Sequence, residues 1–337
     1  MATTPKLAVV GVGYWGINHA RVLANSNRCE LAYICDSNPS NLAKAQQVAT
    51  SAKPEEDFEN LLGQDVDGIV LATQAPLHAE MALAALEAGK HVLVEKPLAL
   101  NQNDANQIAS LAKQKGLVAM VGHLLLYHPV VQKLKTMLTA GELGDLYYLY
   151  ASRVNLGKLR NDENALWSFG PHDFSIIDYL LDGQLPVKVS ARGRGYLRPN
   201  IEDVVFVDLT YPNGELAHVH LSWLDPKKER RLTLVCSDKM VEFDDMAREK
   251  LRIYDRGFEK PPSFTEYGQF LAIRHGDVHL PYVAMNEPLS NEANDFIDAI
   301  TKGTKPQSDV HSGLRVVSIL EAAQKSLKSD GQPISLG

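Results

Sequence analysis

The stretch KLAVVGVGYWGINHARVLANS, which begins at Lys6, leaves few folds open to the chain that carries it. Residues 6–13 are β-branched, apolar and bounded by glycine, the pattern of a short buried strand. Beyond it Ile17, Ala20, Leu23 and Ala24 recur at helical spacing, so a helix opens near Trp15 or Gly16. Gly11, Gly13 and Gly16 thus form a G-x-G-x-x-G between strand and helix. The first glycine permits the tight turn, the second lets backbone approach a bulky anion, and the third lets helix and strand pack closely. The helix N-terminus, flanked by Tyr14 and Trp15, turns amide donors and a positive dipole end toward the same place.

Glycines after a strand are often no more than a turn. Here a second strand, ELAYICD, ends in Asp36, about 20 residues beyond Gly16. A carboxylate there accepts hydrogen bonds from adenosine ribose hydroxyls and repels a 2′-phosphate. The combination predicts dinucleotide binding, with NAD preferred over NADP. Strands and helices then alternate. DGIVLAT (67–73), KHVLVEKP (90–97) and LVAMVGH (117–123) read as strands, and segments 76–89 and 101–116 as helices ending at Gly89 and Gly116. Such alternation predicts an α/β Rossmann domain over residues 1–123, a doubly wound parallel sheet with its ligand at the C-terminal strand ends. Thr73, Glu95, Lys96 and His123 sit at those ends. Lys96 therefore projects toward the cofactor crevice, where Pro97 stops the strand.

At 337 residues the chain is long enough for two domains. A formal charge of −7 argues against a nucleic-acid footprint, and no apolar run reaches the roughly 20 residues of a membrane span. The N-terminus lacks the basic and apolar regions of a secretory signal, and Cys29, Cys35 and Cys236 follow no metal-ligand spacing. A cytoplasmic protein with reduced thiols is expected.

After residue 123 the pattern changes. Segments 144–155, 186–197, 202–223 and 230–245 read as long strands, with Asn213-Gly214 marking a hairpin. Val205, Val207, Leu209 and Tyr211 share one face, as do Ala217, Val219, Leu221 and Trp223, while His218 and His220 lie opposite. Residues 124–337 are therefore expected to form an α+β substrate-binding domain with a large, open, mostly antiparallel sheet. Its polar face is expected to meet a second copy, as a homodimer or homotetramer. Two amphipathic helices, NEANDFIDAITKG and SGLRVVSILEAAQKSLKS, are expected to close this domain. His218 and His220 lack a third ligand pattern nearby, so no metal is expected.

The segment NALWSFGPHDFSIIDYLL (164–181) carries a histidine beside a helix. The apolar face of Ile176, Ile177, Leu180 and Leu181 places Gly170-Pro171-His172-Asp173 at or just before that helix's N-terminus. His172 in such a turn is either a structural cap or an acid/base. Oxidising a secondary alcohol needs a group that takes the hydroxyl proton as hydride leaves carbon, and histidine or lysine suits that role.

The motifs GVGYWG, VLVEKP, GHLLLYHP and GPHDFSIIDYLL resemble, in this order, the glucose–fructose oxidoreductase / inositol dehydrogenase / MocA family. The resemblance spans essentially the whole chain, and E-K-P after an apolar strand is its most specific mark. It implies a Rossmann domain followed by an α/β domain whose open sheet often forms the oligomer interface. It also implies that Lys96 and His172 face each other across the nicotinamide, with Glu95, Thr73 and His78 at the cofactor. TQAPLH (73–78) departs from the family's T-P-P-x-x-H at Gln74 and Ala75, and Ser168 stands where many members carry an aspartate four residues before the histidine. Asp173 follows the histidine directly, which leaves a Lys–His pair more secure than a triad. A narrower resemblance, through segments such as ALWSFGPHDFSI and NGELAHVHLSWLDP, is to the branch that oxidises the 3-hydroxyl of UDP-N-acetylglucosaminuronate. Tyr127, Arg153, Asn155 and Arg160 are the expected substrate contacts, the arginines clamping a carboxylate or pyrophosphate. Other sugar or inositol dehydrogenases, nucleotide-sugar ketoreductases and a non-catalytic dinucleotide-binding regulator remain as alternatives.

Overall fold

The computed structural model describes residues 4–157, 163–259 and 273–336. Its packing divides into two units: Met1–His128 with Asn286–Ser318, and Pro129–Met285 with Ile319–Gly337.

In the first unit the strands are β1 (Lys6–Val10), β2 (Glu30–Cys35), β3 (Lys53–Glu55), β4 (Gly68–Leu71), β5 (His91–Glu95) and β6 (Ala119–Gly122). They form one parallel sheet in the order β3-β2-β1-β4-β5-β6. Leu7, Val9, Ile69, Val70 and Leu93 in its centre are all but inaccessible, because helices cover both faces. Helices α1 (Gly16–Ala24), α2 (Pro39–Gln46), α3 (Phe58–Leu62), α4 (His78–Glu87) and α5 (Gln102–Lys115) connect the strands. Local chemistry sets their ends. The Asn101 side chain accepts from the Asp104 amide at the start of α5, and Gly116 closes it in the left-handed region at φ +66°. Strand order reverses between β1 and β4, which opens a crevice beyond their C-terminal ends.

The second unit holds α6 (Pro129–Thr139), β7 (Leu146–Val154), α7 (Ala165–Leu180), β8 (Lys188–Arg194), β9 (Val204–Thr210), β10 (Leu216–Ser222), β11 (Glu229–Cys236), β12 (Met240–Asp244) and β13 (Leu251–Tyr254). A short ribbon pairs β14 (Gly257–Phe258) with β15 (Ile273–Arg274), and β16 (Val278–His279) flanks β13. With β17 (Ile334–Ser335) the main sheet has nine strands in the order β16-β13-β12-β11-β7-β10-β9-β8-β17. Only the β7–β10 pair is parallel. The β9–β10 hairpin turns at Gly214, φ +98°, and buries Val205, Val207 and Leu209 beside Ala217, Val219 and Leu221. Tyr147, Tyr148, Tyr150 and Phe206 are exposed. Residues 230–245, expected as one strand, are two, because the chain turns at Ser237-Asp238-Lys239, where the Cys236 amide donates to the Lys239 carbonyl at 3.0 Å.

Two helices depart from expectation. Helix α7 starts at Ala165, capped by the Asn164 side chain on the Trp167 amide, and continues through Pro171. His172 is consequently inside a helix rather than in a turn before one. Helix α8 (Pro288–Lys302) belongs to the first unit, not to the second, and α9 (Val310–Lys328) is divided between the two. An amphipathic stripe specifies that a helix buries a face but not against what. Here the partner is set by Gly68, where an added Cβ would lie 3.1 Å from Leu7 and Ile300 and 3.2 Å from Phe296. Among the described residues no helix is long and apolar enough to cross a membrane.

Phe296 is fully buried, so its replacement by alanine is expected to destabilise the protein by about 3–5 kcal/mol in denaturant unfolding. A loss below about 1 kcal/mol would contradict the placement of α8 in that core.

Candidate active site

The glycine loop closes β1 onto β4. Gly11 has φ +81°, its amide donates to the Cys35 carbonyl at 2.8 Å, and an added Cβ would lie 2.8 Å from the Ala72 and Thr73 backbone. A Cβ on Gly16 would lie 1.9 Å from the Gly11 carbonyl oxygen. Gly13 differs: its nearest neighbour would be Asn41 Nδ2 at 3.9 Å, so that face is open. Helix α1 has neither a side-chain cap nor an acidic residue in its first turn.

Gly11 and Gly13 line a cavity of about 870 Å³, with Tyr14 beside Gly13 and with Asp36, Thr73 and Leu77 also on its wall. Asp36 is held by its own turn: Oδ1 accepts from the Asn38 amide at 2.9 Å and Oδ2 from Asn41 Nδ2 at 3.1 Å. Glu56 and Asp57 add two carboxylates to that end, an environment hostile to a 2′-phosphate. Thr73 Oγ1 is buried with no hydrogen-bond partner among the described residues. An open glycine face, an uncapped helix, an orphaned hydroxyl and a fixed carboxylate fit a dinucleotide. Gly11, Gly13, Asp36 and Thr73 would hold it.

Beside the crevice, β5 ends on Glu95. Its Oε1 accepts from the Trp15 indole at 2.5 Å and lies 2.8 Å from His19 Nε2, while Oε2 accepts from the Lys96 amide at 3.1 Å. Burial opposes a charge here, but His19, Lys96 and Trp15 outweigh it and hold the carboxyl below its usual range. Glu95 and Trp15 were expected at the cofactor. Their hydrogen bond ties the start of α1 to β5. His78, expected there as well, is buried, with Nδ1 2.7 Å from the Pro97 carbonyl and Nε2 3.1 Å from that of Thr73. It braces two loops that border the crevice. The Lys96 side chain is partly exposed, and the Lys96–Pro97 bond is cis. His123, at the end of β6, is buried with neither ring nitrogen hydrogen-bonded among the described residues; burial pushes its pKa down to about 4, so the ring is neutral at pH 7.

Tyr127 is not a pocket residue. It is buried in the first unit, its hydroxyl 2.7 Å from Asp295 Oδ2 and 2.9 Å from Ser308 Oγ.

In the second unit, Arg153 of β7 makes a two-pronged pair with Asp173: Nε to Oδ2 at 2.6 Å and Nη2 to Oδ1 at 3.0 Å, both residues buried. The arginine expected to clamp substrate is thus committed to the neighbour of His172. The same pair removes Asp173 as a stand-in for the aspartate that Ser168 replaces. Ser168 and His172 are one turn apart on α7, neighbours on its surface. Arg230, which the sequence concealed at the start of a strand, donates to the Val154 carbonyl at 3.1 Å and to Asn155 Oδ1 at 2.5 Å, with its guanidinium 5.1 Å from the Phe169 ring. Burial, with Arg153 nearby, pushes its pKa down to about 10. Arg160 lies outside the described residues.

The two ends of the loop separate binding from folding. Gly13→Ala is expected to melt within a few degrees of wild type and to weaken NAD binding by about tenfold or more in calorimetry. Gly16→Ala is expected to lose stability itself, because the backbone around it has no room. Equal effects on both properties in both variants would contradict this assignment.

Known proteins resemble this chain. Residues 6–123 match the model of the oxidoreductase family with an NAD-binding Rossmann fold, and residues 131–242 match the GFO/IDH/MocA C-terminal domain. UDP-N-acetylglucosamine 3-dehydrogenase of Acidithiobacillus ferrooxidans is 29% identical over 315 residues, 93% of this chain and 94% of that one. Its crystal structure superposes with a TM-score of 0.82 at 26% identity, covering 96% and 98% of the two chains. An oxidoreductase structure from Magnetospirillum magnetotacticum is 30% identical, with a TM-score of 0.80 and coverage of 95% and 99%. GenD2 from gentamicin A biosynthesis, solved in complex with NAD, shares the fold at 23% identity, with a TM-score of 0.84 and coverage of 100% and 97%. The chain is a member of the GFO/IDH/MocA oxidoreductase family, and its cofactor is NAD.

Proposed function

We propose that this protein oxidises the 3-hydroxyl of a UDP-linked N-acetylhexosamine with NAD as acceptor. The observation that carries this reading is the end-to-end likeness to UDP-N-acetylglucosamine 3-dehydrogenase. The first unit supports it, because Lys96 leaves β5 at the same edge of the sheet as the loop of Gly11, Asp36 and Thr73. The three carboxylates at the adenosine end favour NAD over NADP.

In this reading Lys96 and His172 share the proton work. A dinucleotide held by Gly11, Gly13, Asp36 and Thr73 would supply the hydride acceptor. The substrate hydroxyl gives its proton to one member of the pair while the other orients or polarises the oxygen. Ser168, one turn before His172, supplies a hydroxyl rather than a charge at that position. His172 therefore lacks the neighbouring carboxylate that many relatives carry there. A uronate substrate would call for a guanidinium at its carboxylate, and Arg153 is already held by Asp173. We favour the uncharged sugar over the uronate because the relative that matches end to end is, by name, a UDP-N-acetylglucosamine 3-dehydrogenase. The exposed aromatic face of the second sheet serves, in the same proposal, as the contact between copies of the chain.

Absorbance of reduced nicotinamide tests the reading, with UDP-N-acetylglucosamine and UDP-N-acetylglucosaminuronate in parallel and NADP in place of NAD as control. Reduction is expected with NAD and the uncharged sugar. Lys96→Met is expected to bind NAD and to lose turnover by about 10²–10⁴-fold. Reduction with the uronate alone would replace the uncharged sugar by the acid. Silence with both would remove the nucleotide-sugar assignment.

A further inference from the structure

Three acid/base side chains from three elements of the first unit meet in its interior: His19 of α1, Glu95 of β5 and Glu292 of α8. Their nitrogen and oxygen atoms lie within 4.8 Å of one another, and all three residues are buried. They differ in what surrounds them. Glu95 has donors on both oxygens, from the Trp15 indole and the Lys96 amide, besides the close His19 ring. Glu292 is 0% exposed, and neither of its carboxyl oxygens has a hydrogen-bond partner among the described residues.

A carboxylate cannot be carried into a protein interior without donors or a counter-charge. Two occupants would satisfy Glu292, a proton or a metal cation. A cation bridging all three groups would have to compete with the indole, the amide and the imidazole for Glu95, whose lone pairs they already engage. A proton displaces nothing.

We propose that Glu292 is a neutral carboxylic acid in the native protein at neutral pH, storing one proton between α8 and the strand end that carries Lys96. One carboxylate, not two, then lies beneath that strand end. The groups around it agree with this state. Glu95 on β5 and Asp295 on α8 both oppose a second negative charge. The groups on the other sides, His19 of α1 and Lys96 after β5, act on Glu95. Burial first, then Glu95 and Asp295, push the Glu292 carboxyl well above the ordinary carboxylate range. Any consequence for catalysis rests on the role proposed for Lys96, whereas the stored proton does not.

The sign of the pH dependence follows. An unfolded glutamate loses its proton near pH 4.3, about where free carboxyls titrate, while folded Glu292 keeps its own. The native state therefore loses stability relative to the unfolded chain as pH rises above that value. Glu292→Gln, which mimics the neutral acid and cannot ionise, escapes this loss. The melting temperature of the variant minus that of wild type is expected to increase between about pH 5 and pH 8. Infrared spectra of ligand-free protein with isotope-labelled glutamate are expected to show a protonated-carboxyl carbonyl band at neutral pH that Glu292→Gln lacks. A variant that falls further below wild type as pH rises would overturn the proposal. So would an absent band, a band unchanged by the substitution, or one divalent metal ion per chain that the substitution removes. Neither measurement involves turnover, so failure here is distinct from failure of the proposed reaction.

Discussion

Everything around the candidate site depends on one buried anion. Glu95 sits where β5 leaves the sheet, and a carboxylate there must be fully supplied with donors or the strand end would not form. The donors come from different places: an indole and an imidazole from α1, and the backbone amide of the very next residue, Lys96. One side chain thereby fixes the helix that faces the cofactor and the lysine proposed to face the substrate. The two are set relative to each other through that one carboxylate. His78 does a similar job from α4, its ring lying between the carbonyls of Thr73 and Pro97.

The second unit shows the same economy in another form. Arg153 and Asp173 are each buried, and each would be costly alone, by about 3–5 kcal/mol for a broken pair. Joined by two hydrogen bonds they lock β7 to α7 one residue from His172. A charged pair that looks catalytic in a sequence is here the frame on which the histidine is mounted. That redirects the search for substrate contacts to Arg230 and Asn155, whose side chains meet at the end of β7.

Legibility in the sequence tracked how local each constraint is. The strand–glycine–helix turn, Asp36, the close of α5 at Gly116, and the Gly214 hairpin are all decided within a few residues, and all were readable. The parallel, doubly wound sheet followed from alternation, because parallel strands need crossover connections. The β9–β10 face pattern was likewise visible as alternation. What escaped depends on distant partners. Tyr127 looks like a pocket lining until Asp295, far along the chain, takes its hydroxyl. Helix α8 looks like the closing element of the second domain until Gly68 opens a slot for Phe296 in the first. Pro171 suggests a helix start, but Asn164 had already capped one about two turns earlier, so His172 rides on a helix interior. Arg153 could not be told from a substrate ligand without Asp173 beside it.

Most of the account turns on which carbon surrenders its hydride. The direct measurement uses UDP-N-acetylglucosamine carrying deuterium at carbon 3, with the reduced cofactor recovered and weighed by mass spectrometry. The account predicts reduced nicotinamide that carries the deuterium. Unlabelled reduced cofactor would place the oxidation at another carbon and contradict the assignment to the 3-hydroxyl.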